Sequence, residues 1–343
     1  MEHIKNIEIK NFKSIRQQKI EGCRRINVFI GYPNVGKSNI LEALGMHAVH
    51  QLKVENFIFN EICRVRNFSE LFFNRDTRES VRVILNGINE AELLVDESNL
   101  LQVRLNFVSP EKRDTQFSAQ VNSQFSLQIL ENKNVENTIS IKKYEFKKDA
   151  SLDKNRPRAL SIPYGDNLWD VIYSNGGLRK DLADIFREYS LKVVFDTEEQ
   201  LVLKFQKQMD DDIVVSIGYH QIADTLQRLI FHKAAVISNK NTVLLFEEPE
   251  AHMFPPYISK FTSDIIFDKQ DNQYFISTHS PFVLNDLIEE LDNDELSIYA
   301  VGYERESGET IIHRLTDEQL NEVYQYGVDL FFNLEDYLKH AIS

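Results

Sequence analysis

The chain has 343 residues, 42% hydrophobic and 27% charged, which sets out about two soluble globular domains and excludes disorder, collagen and disulfide-scaffold classes. No stretch approaches the roughly 18 apolar residues of a membrane helix, and Met1 to Ile30 mix Lys, Glu and Asn among the aliphatics, unlike a signal or transit segment. Cys23 and Cys63 are the only cysteines, so a reducing cytoplasm is expected. The net charge of −14 is unevenly spread: from Asp286 to Ser343 fifteen Asp and Glu stand against three Lys and Arg, and the rest of the chain is close to neutral. Such an acidic segment is a solvated face or a docking surface for a basic partner, and charge neither demands nor excludes nucleic acid.

Taken in chain order, Ile4, Ile7 and Ile9 alternate as a first strand, and Ile26-Asn27-Val28-Phe29-Ile30 forms a second, buried one that stops at Gly31. A helix is predicted from Asn39 to about Gln51, with Ile40, Leu41, Leu44 and Val49 on one side. Short β-type runs fill Ser80 to about Lys148: Val81 to Leu85, Leu101 to Leu105, Phe125 to Ile129 and Thr138 to Ile141. No heptad pattern is sustained between Asn60 and Tyr219. Asn175-Gly176-Gly177 precedes an amphipathic helix, Leu178 to Tyr189, and a hairpin spans Leu191 to Phe205. After Asp210-Asp211-Asp212 come a strand to Ile217, a helix from about Ile222 to Ser238 and the apolar run Val243 to Phe246. That order reads as strand–helix alternation in a parallel sheet. Near the end, a strand pair covers Leu296 to Tyr303 and Thr310 to Leu315, and a helix starts at about Asp317.

Gly31-Tyr32-Pro33-Asn34-Val35-Gly36-Lys37-Ser38 matches the phosphate-loop pattern G-x-x-x-x-G-K-[ST] between a strand and a helix. Its glycines let successive N–H groups face one anion, and the following helix presents its positive end. Lys37 is expected to reach the β- and γ-phosphates of ATP, and Ser38 to ligate Mg²⁺. Val243 to Phe246 runs into Glu247-Glu248, which brings two acids to the C-terminal edge of a sheet. Alternation turns them to opposite faces, Glu247 toward the Mg²⁺ shell and Glu248 toward the attacking water as general base. Thr278-His279-Ser280-Pro281 follows the apolar strand Tyr274 to Ser277 and places His279 at the same edge, within reach of a γ-phosphate.

Together these residues resemble the ABC-type P-loop ATPases, in the branch of RecF-type recombination proteins, structural-maintenance-of-chromosomes proteins and overcoming-lysogenization-defect nucleases. Within it the chain is most similar to AAA15/AAA21-type ATPases of bacterial defence systems. The resemblance rests on Ile9-Lys10-Asn11-Phe12-Lys13-Ser14, the phosphate loop with Asn39 after it, Glu247-Glu248-Pro249-Glu250-Ala251-His252, and Ser277-Thr278-His279-Ser280-Pro281. It implies an α/β fold, with a split ABC-type ATPase domain over residues 1–59 and 217–343 and an inserted β-rich, partly helical lobe over residues 60–216, without a long coiled coil. It also implies a head-to-tail homodimer, or a higher homo-oligomer, closed by ATP. In that assembly a signature segment at Ile222-Ala223-Asp224-Thr225 meets the phosphate loop of the partner subunit. The family favours Ser and Gly where this chain has Ala223 and Thr225, so the Thr225 hydroxyl would serve instead. His252 would lie near the dimer seam, and the family's Mg²⁺-sensing glutamine has no counterpart between Arg64 and Phe72.

The expected function is an ATP-hydrolysing, ATP-gated dimer that acts as sensor or regulator for a separate effector, a nuclease or toxin, in anti-phage defence. The segment after the His279 motif is not expected to hold a nuclease domain of the kind seen in that branch. A RecF-like DNA-maintenance ATPase is one alternative, with Lys142-Lys143, Lys147-Lys148, Arg156 and Arg158, interleaved with Tyr144 and Phe146, as the basic cluster for nucleic acid. An ATP-holding switch with little turnover is another. A guanine-reading role for Asn239-Lys240 fails because Thr242 stands where an Asp is required.

Overall fold

The computed structural model describes residues 3–51, 59–109, 111–133, 139–148, 158–197 and 202–342. Two strands, β1 (Asn6–Phe12) and β2 (Ile15–Glu21), open the chain as a hairpin, followed by β3 (Ile26–Ile30), the phosphate loop and helix α1 (Lys37–Gly45), which tightens into 3₁₀ turns over Met46–Gln51. Strands β4 (Val81–Leu85), β5 (Asn89–Val95), β6 (Leu101–Val108), β7 (Arg113–Val121) and β8 (Leu127–Asn132) form a meander, and β9 (Ile141–Tyr144) leaves it. Next come α2 (Leu168–Ser174), α3 (Gly176–Arg187), β10 (Leu191–Asp196), β11 (Val202–Asp210), β12 (Ile213–Gly218) and α4 (Asp224–Ser238). The last part holds β13 (Val243–Glu247), α5 (Pro255–Ile266), β14 (Gln273–Ser277), α6 (Pro281–Glu290), β15 (Leu296–Glu304), β16 (Glu309–Arg314), α7 (Asp317–Tyr326) and α8 (Leu334–Ile342).

The chain splits into two compact units: Met1–Lys143, Asn241–Glu248 and Gln273–Ser343 form the first, Tyr144–Lys240 and Pro249–Asn272 the second. The first holds two sheets. One is a seven-stranded antiparallel sheet in the order β2-β1-β4-β5-β6-β7-β8; the other has the order β16-β15-β3-β14-β13-β9. In the latter β3 pairs in parallel with both β14 and β15, and β13 pairs in parallel with β14. Strands β3 and β14 are buried along their whole length, as central parallel strands must be, and Phe29 stacks on Phe275 and Tyr299 at centroid distances of 6.4 and 5.2 Å. Helix α1 covers β13 and β14 with Ile40, Leu41 and Leu44, all fully buried.

In the second unit, α3 starts where the Asn175 side chain accepts the Leu178 N–H at 3.0 Å, and its stripe of Leu178, Leu182, Ile185 and Phe186 packs on β10. Phe186 and Phe205 meet at 4.1 Å, α4 and α5 pack on each other, and Trp169 meets Tyr219 edge-on at 4.6 Å. The longest helix among the described residues is α4, with 15 residues.

Two features depart from the sequence reading. The strand after Asp210-Asp211-Asp212 is the outer member of an antiparallel hairpin with β11, not a strand of the parallel sheet, because that turn folds it straight back. The boundary at residue 60 is not a break either: β4 hydrogen-bonds to β1, so the meander continues the N-terminal hairpin. Among the described residues no helix is long and apolar enough to cross a membrane.

Candidate functional site

The site is built at the C-terminal edge of β3, β13 and β14, all in the first unit. The phosphate loop leaves β3 at Gly31 and turns through Asn34 (φ 63°) and Gly36 (φ 103°) into α1, whose first turn receives no side-chain cap. The open N–H groups therefore remain available to an anion. A Cβ on Gly36 would lie 2.2 Å from Thr310 Oγ1 and one on Gly31 2.3 Å from the Val301 carbonyl, so only glycine fits at either place. Lys37, 5% exposed, donates from Nζ to the carbonyls of Gly31 and Tyr32, both at 2.9 Å, and so folds over its own loop.

A hydrogen-bond chain supports the loop from behind. Asn39 Nδ2 donates to Ser14 Oγ at 2.7 Å, Ser14 Oγ lies 2.6 Å from Thr310 Oγ1, and Thr310 donates to the Val35 carbonyl at 2.9 Å. The Thr310 N–H also donates to the Ser14 carbonyl at 2.8 Å. The N-terminal Asn11-Phe12-Lys13-Ser14 segment and the C-terminal strand β16 thus hold the loop together.

The two acids of β13 have separate surroundings. Glu247 pairs with Arg64 Nη2, with Lys143 Nζ 3.9 Å away and the Ser38 side chain near enough to help hold its carboxyl down. Burial pushes its carboxyl up, but Arg64, Lys143 and Ser38 outweigh that and hold it below the ordinary carboxylate value. Arg64 Nε reaches Glu42 Oε1 at 3.0 Å, and Lys13 pairs with the other oxygen of Glu42, a side chain only 1% exposed. Glu248 adopts φ 43°, donates its N–H to the Ser277 carbonyl at 2.9 Å and projects into solvent. Its Oε1 lies 3.3 Å from His279 Nε2. A left-handed glutamate next to a titratable partner is the kind of local strain found at functional sites. Burial lowers the His279 pKa below its ordinary 6.5 and the nearby Lys37 lowers it further, against the pull of Glu248, so the ring is neutral at pH 7. The Thr278 N–H donates to the Phe29 carbonyl at 3.2 Å, which ties the histidine loop to β3.

Lys37, Ser38, Asn39, Glu247, Glu248 and His279 therefore lie in one unit. Ala223, Asp224 and Thr225 lie in the second unit at the start of α4. Ala223 occupies the N-cap without a side-chain bond, Asp224 accepts from Arg228 Nε at 2.9 Å, and Thr225 Oγ1 donates to the His252 carbonyl at 3.1 Å.

Sequence reasoning missed Arg64, Glu42 and Thr310, and misplaced Lys143. Lys143 is buried, donates to the Ile62 carbonyl at 3.3 Å and faces Glu247; burial lowers the Lys142 pKa to about 8. Tyr144 is buried with its hydroxyl donating to the Leu160 carbonyl at 2.7 Å, and Arg228 covers the Phe146 ring at 4.6 Å. Within the basic, aromatic-interleaved run Lys143 and Tyr144 are buried and Lys142 and Phe146 half-buried, whereas Lys147, Lys148 and Arg158 are exposed; Arg156 lies outside the described residues. Asn239 serves the fold, donating to the Tyr144 hydroxyl at 2.8 Å and the Ala235 carbonyl at 2.6 Å.

The residues present fit a nucleoside triphosphate with Mg²⁺: an uncapped helix start, a lysine beside it, and a hydroxyl close to a carboxylate. Among the described residues no three His, Cys, Asp or Glu side chains group to hold a metal alone.

Comparison with known proteins agrees with this geometry. The family model AAA_21, "AAA domain, putative AbiEii toxin, Type IV TA system", matches residues 26–285. An "ATP/GTP phosphatase" of Helicobacter pylori is 24% identical over 349 residues, which cover 84% of this chain and 89% of that protein. A "DNA replication and repair protein RecF" of Thermoanaerobacter sp. is 29% identical over 98 residues, 25% of this chain and 27% of that one. Among solved structures, an SMC head bound to the C-winged helix domain of ScpA superposes with a TM-score of 0.53 at 14% identity, covering 94% of this chain and all of that one. That likeness is one of fold.

Proposed function

Because the chain belongs to the AAA_21 family and folds as an ABC-type P-loop ATPase of the RecF and SMC branch, we propose that it is an ATP-gated dimer that senses or regulates a partner effector in anti-phage defence. It hydrolyses ATP to ADP and phosphate. The observation that carries the reading is the meeting of Ser38 with Glu247 at the mouth of the phosphate loop, with Glu248 3.3 Å from His279 on the same sheet edge.

The loop N–H groups and Lys37 would hold the β- and γ-phosphates, with the ammonium exchanging its two loop carbonyls for phosphate oxygens. Ser38 and Glu247 would hold Mg²⁺, which supplies neutralisation of phosphate charge. Glu248 takes the proton of the attacking water at a carboxylate oxygen while the bond from the γ-phosphorus to the bridging oxygen of the departing ADP breaks. A neutral His279 orients that carboxylate through Nε2–H. The ABC-type ATPase body with its inserted lobe, the dimer, and the effector as a separate protein are parts of the same proposal.

Glu248→Gln tests it: turnover should fall by about 10²-fold or more while ATP binding persists. Unchanged turnover would remove Glu248 as the base. A slow-turnover switch is the second reading, favoured by the Arg64 guanidinium that holds Glu247.

A further inference from the structure

We propose that the groove between α6 and α7 docks a basic amphipathic helix of a partner protein, on the element that carries His279. The groove is a cavity of about 240 Å³ lined by the aliphatic Leu284, Ile288, Val323 and Leu330 together with the acids Glu289 and Asp329. The segments that build it also carry large side chains that the fold leaves in water: Phe282 is 50% exposed, Tyr324 60%, Tyr326 76% and Phe332 87%. Scattered apolar residues on a surface need no explanation, but a hollow with aromatic neighbours marks a contact surface.

Charge selects the occupant. The stretches 281–290 and 317–331 hold Asp286, Glu289, Glu290, Asp317, Glu318, Glu322 and Asp329 and not one Lys or Arg. Of these, Asp317 is already matched by Arg24 and Arg314 at 3.0 and 3.2 Å. A hollow lined by aliphatic and acidic side chains repels nucleic-acid phosphate and anionic lipid. It also opposes a symmetric contact with a second copy, which would bring the same acids face to face. It accepts a helix with aliphatic residues on one face and Lys or Arg on the flanks, the helix-in-groove mode of recognition.

The site also has a route to the nucleotide. Pro281 lines the groove and opens α6 two residues after His279, and the Ser280 N–H donates to the Thr278 hydroxyl at 2.9 Å. A helix seated there bears on the segment that sets His279 against Glu248. This coupling rests on the ATPase reading given above, whereas the docking itself does not.

The test is fluorescence anisotropy with the full chain and a labelled peptide of about twelve residues, roughly three helical turns, with Leu and Lys at helical spacing. The same pattern with Glu for Lys is the control. The Lys peptide should bind and weaken with salt, and the Glu peptide should not bind. Ile288→Arg, at a half-buried position, and the pair Glu289→Lys with Asp329→Lys should each weaken binding at least about ten-fold. Glu131→Lys on the exposed end of β8 should leave binding unchanged. Equal binding by all variants means charge attraction without a groove and overturns the proposal, as does failure of the Lys peptide to bind. Loss of self-association in Ile288→Arg, seen by light scattering, would assign the groove to a second copy and overturn it too. Circular dichroism of each variant separates a misfolded chain from a closed groove. Peptide binding by a chain without ATPase activity would leave the docking standing and remove the enzymatic reading alone.

Discussion

At the residue scale, Arg64 changes how the site is understood. Its guanidinium spans Glu247 and the buried Glu42, so the carboxylate proposed to meet Mg²⁺ starts out paired with a cation. A charge-assisted bond contributes about 1.5–3 kcal/mol, which a metal must displace. Arg64→Ala should therefore lower the Mn²⁺ concentration for half-saturation, measured by electron paramagnetic resonance with a non-hydrolysable ATP analogue, by about ten-fold. Weaker Mn²⁺ binding would show instead that Arg64 supports the loaded site. His279 gives a second prediction. Its folded pKa lies below 6.5, so the neutral ring is complete above 6.5 and is lost as pH falls through the lowered value. The acid limb of kcat/KM should lie below pH 6.5 and shift in His279→Gln. Lys37, Ser38, Glu247, Glu248 and His279 were legible in the sequence because each follows directly on an apolar strand or a glycine turn. Arg64, Glu42, Lys143 and Thr310 were not, because an ion pair or hydroxyl bond between distant segments leaves no local pattern.

At the scale of elements, β16 acts as a prop for the phosphate loop. Fully buried Thr310 is bonded on both sides, to Ser14 and to the Val35 carbonyl. Thr310→Val keeps the volume and loses the hydroxyl. Removing a bond worth about 1 kcal/mol should raise the KM for ATP about five-fold with kcat little changed. Thr310→Ser should restore it, which a packing defect would not allow. The turn after α1 carries a second consequence. His47 is buried with Nε2 bonded to the Val83 carbonyl at 3.1 Å, and burial lowers its pKa to about 4. Its neutral form contributes fully above 6.5, and that stability is lost by about 1.4 kcal/mol per pH unit as pH falls from 6.5 toward 4. In urea unfolding across that window, His47→Gln should flatten the slope by one proton. Strand β5 shows why part of the meander escaped sequence reading. Its Glu90 and Glu92 are buried, which breaks the expected alternation, and they are matched across the sheet by Arg113, which lies 3.2 Å from Glu92. Local hydropathy cannot register an acid whose partner lies more than twenty residues away.

At the scale of the molecule, the proposed chemistry is divided between the two compact units: the phosphate loop, Glu247, Glu248 and His279 in one, and the Ala223-Asp224-Thr225 helix start in the other. The helix start lacks a side-chain cap, so its free N–H groups suit it to face a phosphate. Thr225 donates its hydroxyl proton to the His252 carbonyl, so a contact with phosphate requires that proton to turn from the carbonyl to a phosphate oxygen. If that contact is made to the nucleotide of a second copy, ATP is the adhesive of the dimer and hydrolysis its release. Light scattering on Glu248→Gln, which holds ATP without cutting it, should then show a mass doubled by ATP with Mg²⁺ and unchanged by ADP. Adding Thr225→Arg should abolish the doubling while ATP still binds, because the phosphate loop is untouched and the large side chain fills the seam. A mass that ignores ATP although ATP binds would break the head-to-tail reading. A doubling that survives Thr225→Arg would place the seam on another face of the chain.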